Sequence, residues 1–314
     1  MARQTVAQNR MLILACLLLA SGMAAQAQDR PRIMPSPNPD IDPTHANVVY
    51  RDSGIVTLRA DLYLPQSEQP TAAIAWFAGG GFRLRNKRMI RGSIFDQFDR
   101  GVAIISFEYT LADEEKWPAQ AHDGKAAVRW LRSNAGKYNI DPKRIFVAGA
   151  SAGAILANVV ANSAGDVSLH ESGVDYASLS AGVSGVVSFY TAADMTTHSD
   201  WPGENSSGNF LTGCASLNCK SQVESASPAH YVSADSPPAL LFHGMRDVVI
   251  DYTQSILLQQ RLNEAGVDAQ LVLRTDLVHG DRRFDEPAVS DLITRFLSDV
   301  TRTMVYTDGV KRGN

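Results

Sequence analysis

The stretch Ile145-Phe146-Val147-Ala148-Gly149-Ala150-Ser151-Ala152-Gly153 decides how this chain is read. Its first half, Ile145 to Ala148, is an apolar β-type run, and an alanine-rich helical run follows from Ala152 to Asn162. A serine in a Gly-x-Ser-x-Gly frame between strand and helix sits on a tight turn, where a Cβ on either flanking glycine would collide with the neighbouring elements. The Ser151 hydroxyl of such an elbow stands exposed above a sheet. Alone the pentapeptide is weak evidence: with Gly and Ser each near 7% of residues, it arises by chance in roughly one chain in ten of this length. A second element strengthens it. Gly79-Gly80-Gly81-Phe82 follows the apolar run Ala72 to Phe77, about 70 residues upstream of Ser151, where a loop of backbone N–H donors is expected.

Outward from the elbow, short apolar runs alternate with amphipathic stretches. Strands are predicted near 57–63, 72–77, 102–107, 145–148, 182–188, 239–243 and 269–273, and helices near 93–99, 120–135, 152–162, 252–265 and 288–300. That alternation predicts an α/β fold, a mostly parallel central sheet flanked by helices, with no large separate cap domain. No linker or internal repeat divides residues 47–303, so one catalytic domain is expected. Residues 28–46, with Pro31, Pro35, Pro37, Pro39 and Pro43, read as an extended proline-rich leader. Residues 304–314 read as a loose tail. One connection, Thr191 to Pro238, is unusually long and rich in Ser, Gly, Asn and Thr. It carries Trp201, Phe210, Cys214 and Cys219, and forms either one wall of a substrate cleft or a plain surface excursion with a short helix at Cys219 to Ser225.

The chain has 314 residues, 45% hydrophobic and 8% aromatic, an ordinary composition for a packed globular core. Its first 27 residues differ. Arg3 and Arg10 precede the uncharged run Met11 to Ala20, and small residues then end in Ala25-Gln26-Ala27. This is the pattern of a secretory signal peptide cleaved after Ala27, predicting a periplasmic or secreted protein. Ten apolar residues are too few to span a bilayer, which takes about 20. Cys16 raises the alternative of a lipid-modified cysteine, but the apolar residues on both sides of it fit that poorly. Without residues 1–27 the chain keeps 27 Lys and Arg against 33 Asp and Glu, a net charge of −6, so no nucleic-acid partner is expected. The two remaining cysteines, Cys214 and Cys219, are separated by four residues. A local disulfide is expected in an oxidising compartment, although the spacing alone also admits two free thiols.

A serine nucleophile needs a base, and the base needs a group that orients it. In the fold where this elbow occurs the chain order is Ser, then Asp or Glu, then His. Asp247 lies just past the strand-like run Ala239 to His243. His279 comes 32 residues later, after one more helix and strand. The expected triad is therefore Ser151, Asp247 and His279, with Gly80, Gly81 and Ala152 supplying backbone N–H groups to an oxyanion. His243 ends its strand and reads as a brace for the Asp247 turn; Asp251 reads as a helix cap. No His-Glu-x-x-His and no paired Cys-x-x-Cys appear, so no metal or cofactor is expected. Phe82, Trp117, Tyr190 and Trp201 are candidate substrate-pocket walls, or equally core residues.

These residues carry a resemblance. Asp61 to Pro65, Gly79 to Phe82, Asp123-Gly124-Lys125-Ala126-Ala127-Val128-Arg129-Trp130-Leu131-Arg132, Ile140-Asp141-Pro142-Lys143-Arg144-Ile145, the elbow, and Pro237 to Gly244 are similar to the α/β-hydrolase serine esterases. Within them the chain most resembles the bacterial feruloyl and acetyl xylan esterase-like branch related to hormone-sensitive lipases, over about residues 48–300. The resemblance implies the same triad and oxyanion donors, and hydrolysis of short-chain or carbohydrate-linked carboxylic esters through an acyl-enzyme. An amidase or peptidase on the same triad, or a non-catalytic binding protein, are the alternatives.

Two departures stand out. The family usually places His before the triple Gly, where this chain has Ala78, so the oxyanion loop must be held differently. Asp281 follows His279-Gly280 where Phe is usual; it either acts on His279 or faces solvent. Arg83, Arg85, Lys87, Arg88 and Arg91 crowd the stretch after the oxyanion loop, and either attract anionic substrates or form a solvated face.

Overall fold

The computed structural model describes residues 41–169, 176–198 and 202–309. The expected signal peptide, the leader up to residue 40 and Trp201 lie outside the described residues. Eight strands form one sheet: β1 (His45–Asp52), β2 (Thr57–Tyr63), β3 (Thr71–Phe77), β4 (Ala103–Phe107), β5 (Ile140–Ala150), β6 (Val186–Phe189), β7 (Ala239–Gly244) and β8 (Ala269–Arg274). Their spatial order is β1-β2-β4-β3-β5-β6-β7-β8. β1 with β2 and β2 with β4 are antiparallel, and every later pair is parallel.

Helices cover both faces. On one lie α1 (Gly92–Asp99) and α7 (Pro287–Gly309); on the other lie α2 (Ala119–Ser133), α3 (Ala152–Asn162) and α6 (Thr253–Glu264). Two short helices, α4 (Ser207–Thr212) and α5 (Lys220–Ser225), belong to the long connection after β6. Double coverage explains why β3, β4, β6 and β7 are buried along their whole length and read as continuous apolar runs. Period-two alternation then divides each strand between the two cores. In β3, Ala73, Ala75 and Phe77 face α2 and α3, while Ile74 and Trp76 face α1 and α7.

Three predicted boundaries change. β1 lies partly inside the expected leader; its residues are mostly exposed, so this edge strand carries no apolar signal. It is fixed instead by the Tyr50 hydroxyl, which donates to the Glu108 carbonyl at 2.6 Å, and by the Asn47 amide on the Asp61 carboxylate at 2.8 Å. β6 starts at Val186 rather than 182, because Gly182 and Gly185 precede the run that pairs. The last helix runs to Gly309, past residue 300 where the sequence pattern ended it. Residues 303–308 contain no proline to stop it, and Gly309 ends the element.

Candidate active site

The elbow is required by close packing. A Cβ on Gly149 would lie 2.2 Å from the Gly153 carbonyl oxygen, and one on Gly153 would lie 2.0 Å from the Phe77 carbonyl oxygen of β3. Neither position can carry a side chain, so β5 turns directly into α3. Ser151, at the turn, has φ 55° and ψ −122°. Its amide donates to the Phe189 carbonyl at 3.0 Å, and its own carbonyl accepts from Ala154 and Ile155 to start the helix. Among the described residues, six non-glycine residues have positive φ. Two are Asn, which tolerate it; Phe82, Ser151 and Tyr190 converge on the site, the usual location of stored backbone strain.

His279 connects the two other members of the expected triad. Its Nδ1 lies 2.6 Å from Asp247 Oδ2, and its Nε2 lies 3.0 Å from Ser151 Oγ. Because a carboxylate oxygen only accepts, Nδ1 carries the proton, and Nε2 is left to accept from the serine hydroxyl. The Asp247 side chain is fully buried, while His279 keeps 19% of its side-chain surface. Oδ1 of Asp247 accepts the amides of Val249 at 2.8 Å and Ile250 at 2.9 Å. Burial opposes the carboxylate charge, but hydrogen bonds from His243, His279 and the Ile250 amide outweigh it and hold the Asp247 pKa well below the ordinary carboxylate range.

His243 braces the Asp247 turn, as expected. Fully buried, it donates from Nε2 to the Ile250 carbonyl at 3.0 Å and lies 3.3 Å from Asp247 Oδ2, with Nδ1 on Ser255 Oγ at 2.7 Å. Asp251 accepts the Thr253 amide at 2.9 Å in the first turn of α6.

The glycine loop expected to serve an oxyanion lies against the elbow: a Cβ on Gly79 would sit 2.9 Å from the Ala150 carbonyl oxygen and 3.3 Å from Ser151 Cβ. Gly80 and Gly81 have φ of 138° and 63°. Ala152 opens α3, so its N–H has no acceptor within the helix. Sequence reasoning missed the residue that holds this loop in place of the absent histidine. Tyr109, two residues past β4, donates its hydroxyl to the Ala78 carbonyl at 2.8 Å and packs edge-on against Phe82. The signal available was a tyrosine directly after the strand beside β3.

The candidate pocket walls separate. Tyr190 is buried with its ring centroid 4.6 Å from that of His279. Phe82 is also buried, against Tyr109. Trp117 is turned away into the long connection, where its Nε1 donates to Ser225 Oγ at 3.0 Å and its amide to the Leu211 carbonyl at 3.0 Å. Cys214 and Cys219 are disulfide-bonded. Asp281 neither meets His279 nor faces solvent: its buried carboxylate takes Arg283 at 2.8 and 3.1 Å.

The basic stretch is not an open patch. Arg83 stacks on Phe210 at 3.3 Å, Arg85 pairs with Glu114, Lys87 with Glu108 and Asp61, Arg88 with Asp42, and Arg91 with Asp285. Among the described residues, no helix is long and apolar enough to cross a membrane.

Several known proteins similar to this chain are esterases by name. Esterase LipQ of Mycobacterium tuberculosis is 28% identical over 231 residues, covering 70% of this chain and 52% of that protein. Esterase LipC of the same organism is 29% identical over 205 residues, covering 63% and 50%. The chain thus spans about half the length of these curated relatives. Among solved structures, a truncated carbohydrate esterase from gut microbiota superposes with a TM-score of 0.74 at 27% identity, over 82% of this chain and 96% of that one. An acetyl ester-xyloside bifunctional hydrolase from Caldicellulosiruptor lactoaceticus shares the fold, with a TM-score of 0.69 at 21% identity over 83% and 98%. The BD-FAE family profile matches residues 60–262. With its sheet order, its strained serine elbow and this match in hand, the chain belongs to the BD-FAE family of α/β-hydrolases.

Proposed function

We propose that this protein is a serine carboxylic-ester hydrolase that works through an acyl-enzyme. One observation carries the reading: a single imidazole, His279, lies 2.6 Å from a buried carboxylate and 3.0 Å from a hydroxyl on a strained elbow. Ser151 Oγ attacks the ester carbonyl carbon and gives its proton to His279 Nε2. The carbonyl oxygen becomes an oxyanion and accepts from the N–H groups of Gly80, Gly81 and Ala152. Collapse breaks the carbon–oxygen bond to the alcohol, which leaves with the proton from Nε2. Water then gives a proton to Nε2 and attacks the acyl carbon; collapse releases the carboxylic acid and returns the proton to Ser151. Asp247 stays charged throughout and stabilises the imidazolium.

The favoured substrates are small acyl or aromatic esters, including esters on carbohydrate; the carbohydrate esterase among the structural neighbours supports this class. Export follows from the N-terminal pattern, and the Cys214–Cys219 disulfide is in keeping with an oxidising compartment. Purified residues 28–314 are assayed on p-nitrophenyl esters from acetate to decanoate, beside Ser151→Ala. Turnover that declines with chain length and disappears in the variant supports the reading. A folded parent without ester turnover overturns it in favour of an amidase or a binding protein. Amino-terminal sequencing of the exported protein checks cleavage after Ala27.

A further inference from the structure

Arg91 immediately precedes α1, as its N-cap residue, yet its guanidinium is wholly buried, with Phe189 and Phe284 at 5.8 and 5.6 Å. A guanidinium has five N–H donors in a rigid fork, and here each has an acceptor. Nε donates to Asp285 Oδ1 at 2.9 Å, and Nη2 to Asp285 Oδ2 at 2.8 Å and to the Asp281 carbonyl at 2.7 Å. Nη1 donates to the Gly280 carbonyl at 3.3 Å and to the Tyr190 hydroxyl at 3.2 Å. Anchoring α1 to the turn at Arg282–Asp285 needs only the two bonds to Asp285. The other three reach the backbone immediately after His279 and the aromatic ring that packs on its imidazole.

Those two features set where the imidazole stands. Gly280, at φ 71°, is the residue through which the chain leaves His279. Tyr190, at φ 44°, presses its ring edge-on to the imidazole with centroids 4.6 Å apart. His279 is held by Asp247 along its own plane and by Tyr190 across it. Arg91 ties that ring and the Gly280 peptide to one rigid, dry group. Misplacement of a reacting group by about 1 Å costs on the order of 10² in rate, so a fixed reference of this kind bears directly on proton transfer.

We propose that Arg91 is a positioning residue of the active site, fixing the His279 imidazole through the Gly280 carbonyl and the Tyr190 ring. The inference rests on the esterase reading above. Lysine keeps the charge and one bond to Asp285, but its single ammonium cannot span Asp285, Gly280, Asp281 and Tyr190 together.

The test compares the parent, Arg91→Lys, Tyr190→Phe and Ser151→Ala on p-nitrophenyl acetate. Rates are expressed per site titrated with a fluorophosphonate, and folding is checked by circular dichroism and thermal melting. The expected result for a folded Arg91→Lys is kcat at least tenfold lower with KM within twofold of the parent. The low-field proton resonance of His279 Nδ1 should also broaden or move. Tyr190→Phe keeps the ring but loses the guanidinium, and kcat should fall threefold or more, which carries the test if Arg91→Lys does not fold. Folded variants with kcat within twofold of the parent and an unmoved resonance overturn the proposal. If instead the parent is inactive, or Ser151→Ala keeps its activity, it is the esterase reading that fails, and this proposal with it.

Discussion

Tyr109 donates its hydroxyl hydrogen to the Ala78 carbonyl at 2.8 Å, both groups being buried. This bond holds the residue just before the three glycines, Ala78, where the resemblance led to the expectation of a histidine. Tyr109→Phe removes only the donor and leaves a buried carbonyl unpaired, a cost of about 1–3 kcal/mol. The expected outcome is a lower melting temperature together with a fall in kcat, with KM little changed, because in the proposed mechanism the loop serves the oxyanion rather than the bound ester. Steady-state kinetics on p-nitrophenyl acetate, beside a thermal melt, check both.

Asp247 faces two imidazoles, His279 at 2.6 Å and His243 at 3.3 Å. Replacing the triad carboxylate by an amide typically costs about 10⁴ in kcat, because the histidine is then held in the wrong tautomer. Asp247→Asn should lose activity on that scale while remaining folded. His243→Asn should lose far less, since His243 meets Asp247 and its turn but not the serine, and the 2.6 Å bond from His279 to Asp247 is kept. Comparing kcat for the two variants separates the roles.

The same carboxylate makes stability depend on pH. Its folded pKa is depressed, so its contribution is complete above the unfolded value near 4 and is lost as pH falls toward the folded value. The difference in unfolding free energy between the parent and Asp247→Asn should be flat above about pH 5 and shrink below about pH 4. Urea titrations at several pH values measure it. A difference that grows as the medium becomes more acid would contradict the assignment.

Gly153→Ala places a carbon 2.0 Å from the Phe77 carbonyl oxygen, which is backbone of β3 and cannot move aside alone. The variant is expected to be insoluble or destabilised by more than about 4 kcal/mol, the range reserved for such structural conflicts. Soluble yield and urea midpoint report the effect.

The Cys214–Cys219 bond closes a very short loop. In the chain-entropy account it contributes only about 2 kcal/mol. Cys214→Ser with Cys219→Ser should lower stability by that amount and leave kcat on small esters within threefold.

Much of this was legible in order along the chain. The elbow, the glycine loop, and Asp247 and His279 after successive strands are local signals, because each depends on what its immediate neighbours allow: a turn without Cβ, or a loop after an apolar run. The parallel sheet was legible for the same reason, since strands buried on both faces must be apolar throughout. β1 was not, because an exposed edge strand is specified by its partner's hydrogen bonds rather than by its own side chains.

The sequence by itself determined the proposed reacting groups and their order, since chemistry and turn sterics restrict which residues can stand at those positions. Only the tertiary structure decided what supports them. Tyr109 under Ala78, His243 under Asp247, Arg91 behind His279, and the pairing of the basic stretch with Glu114, Glu108 and Asp285 all join residues distant in sequence or facing one another by a turn's geometry. Such partners are fixed by the packing of the whole sheet and its helices, which no local pattern encodes.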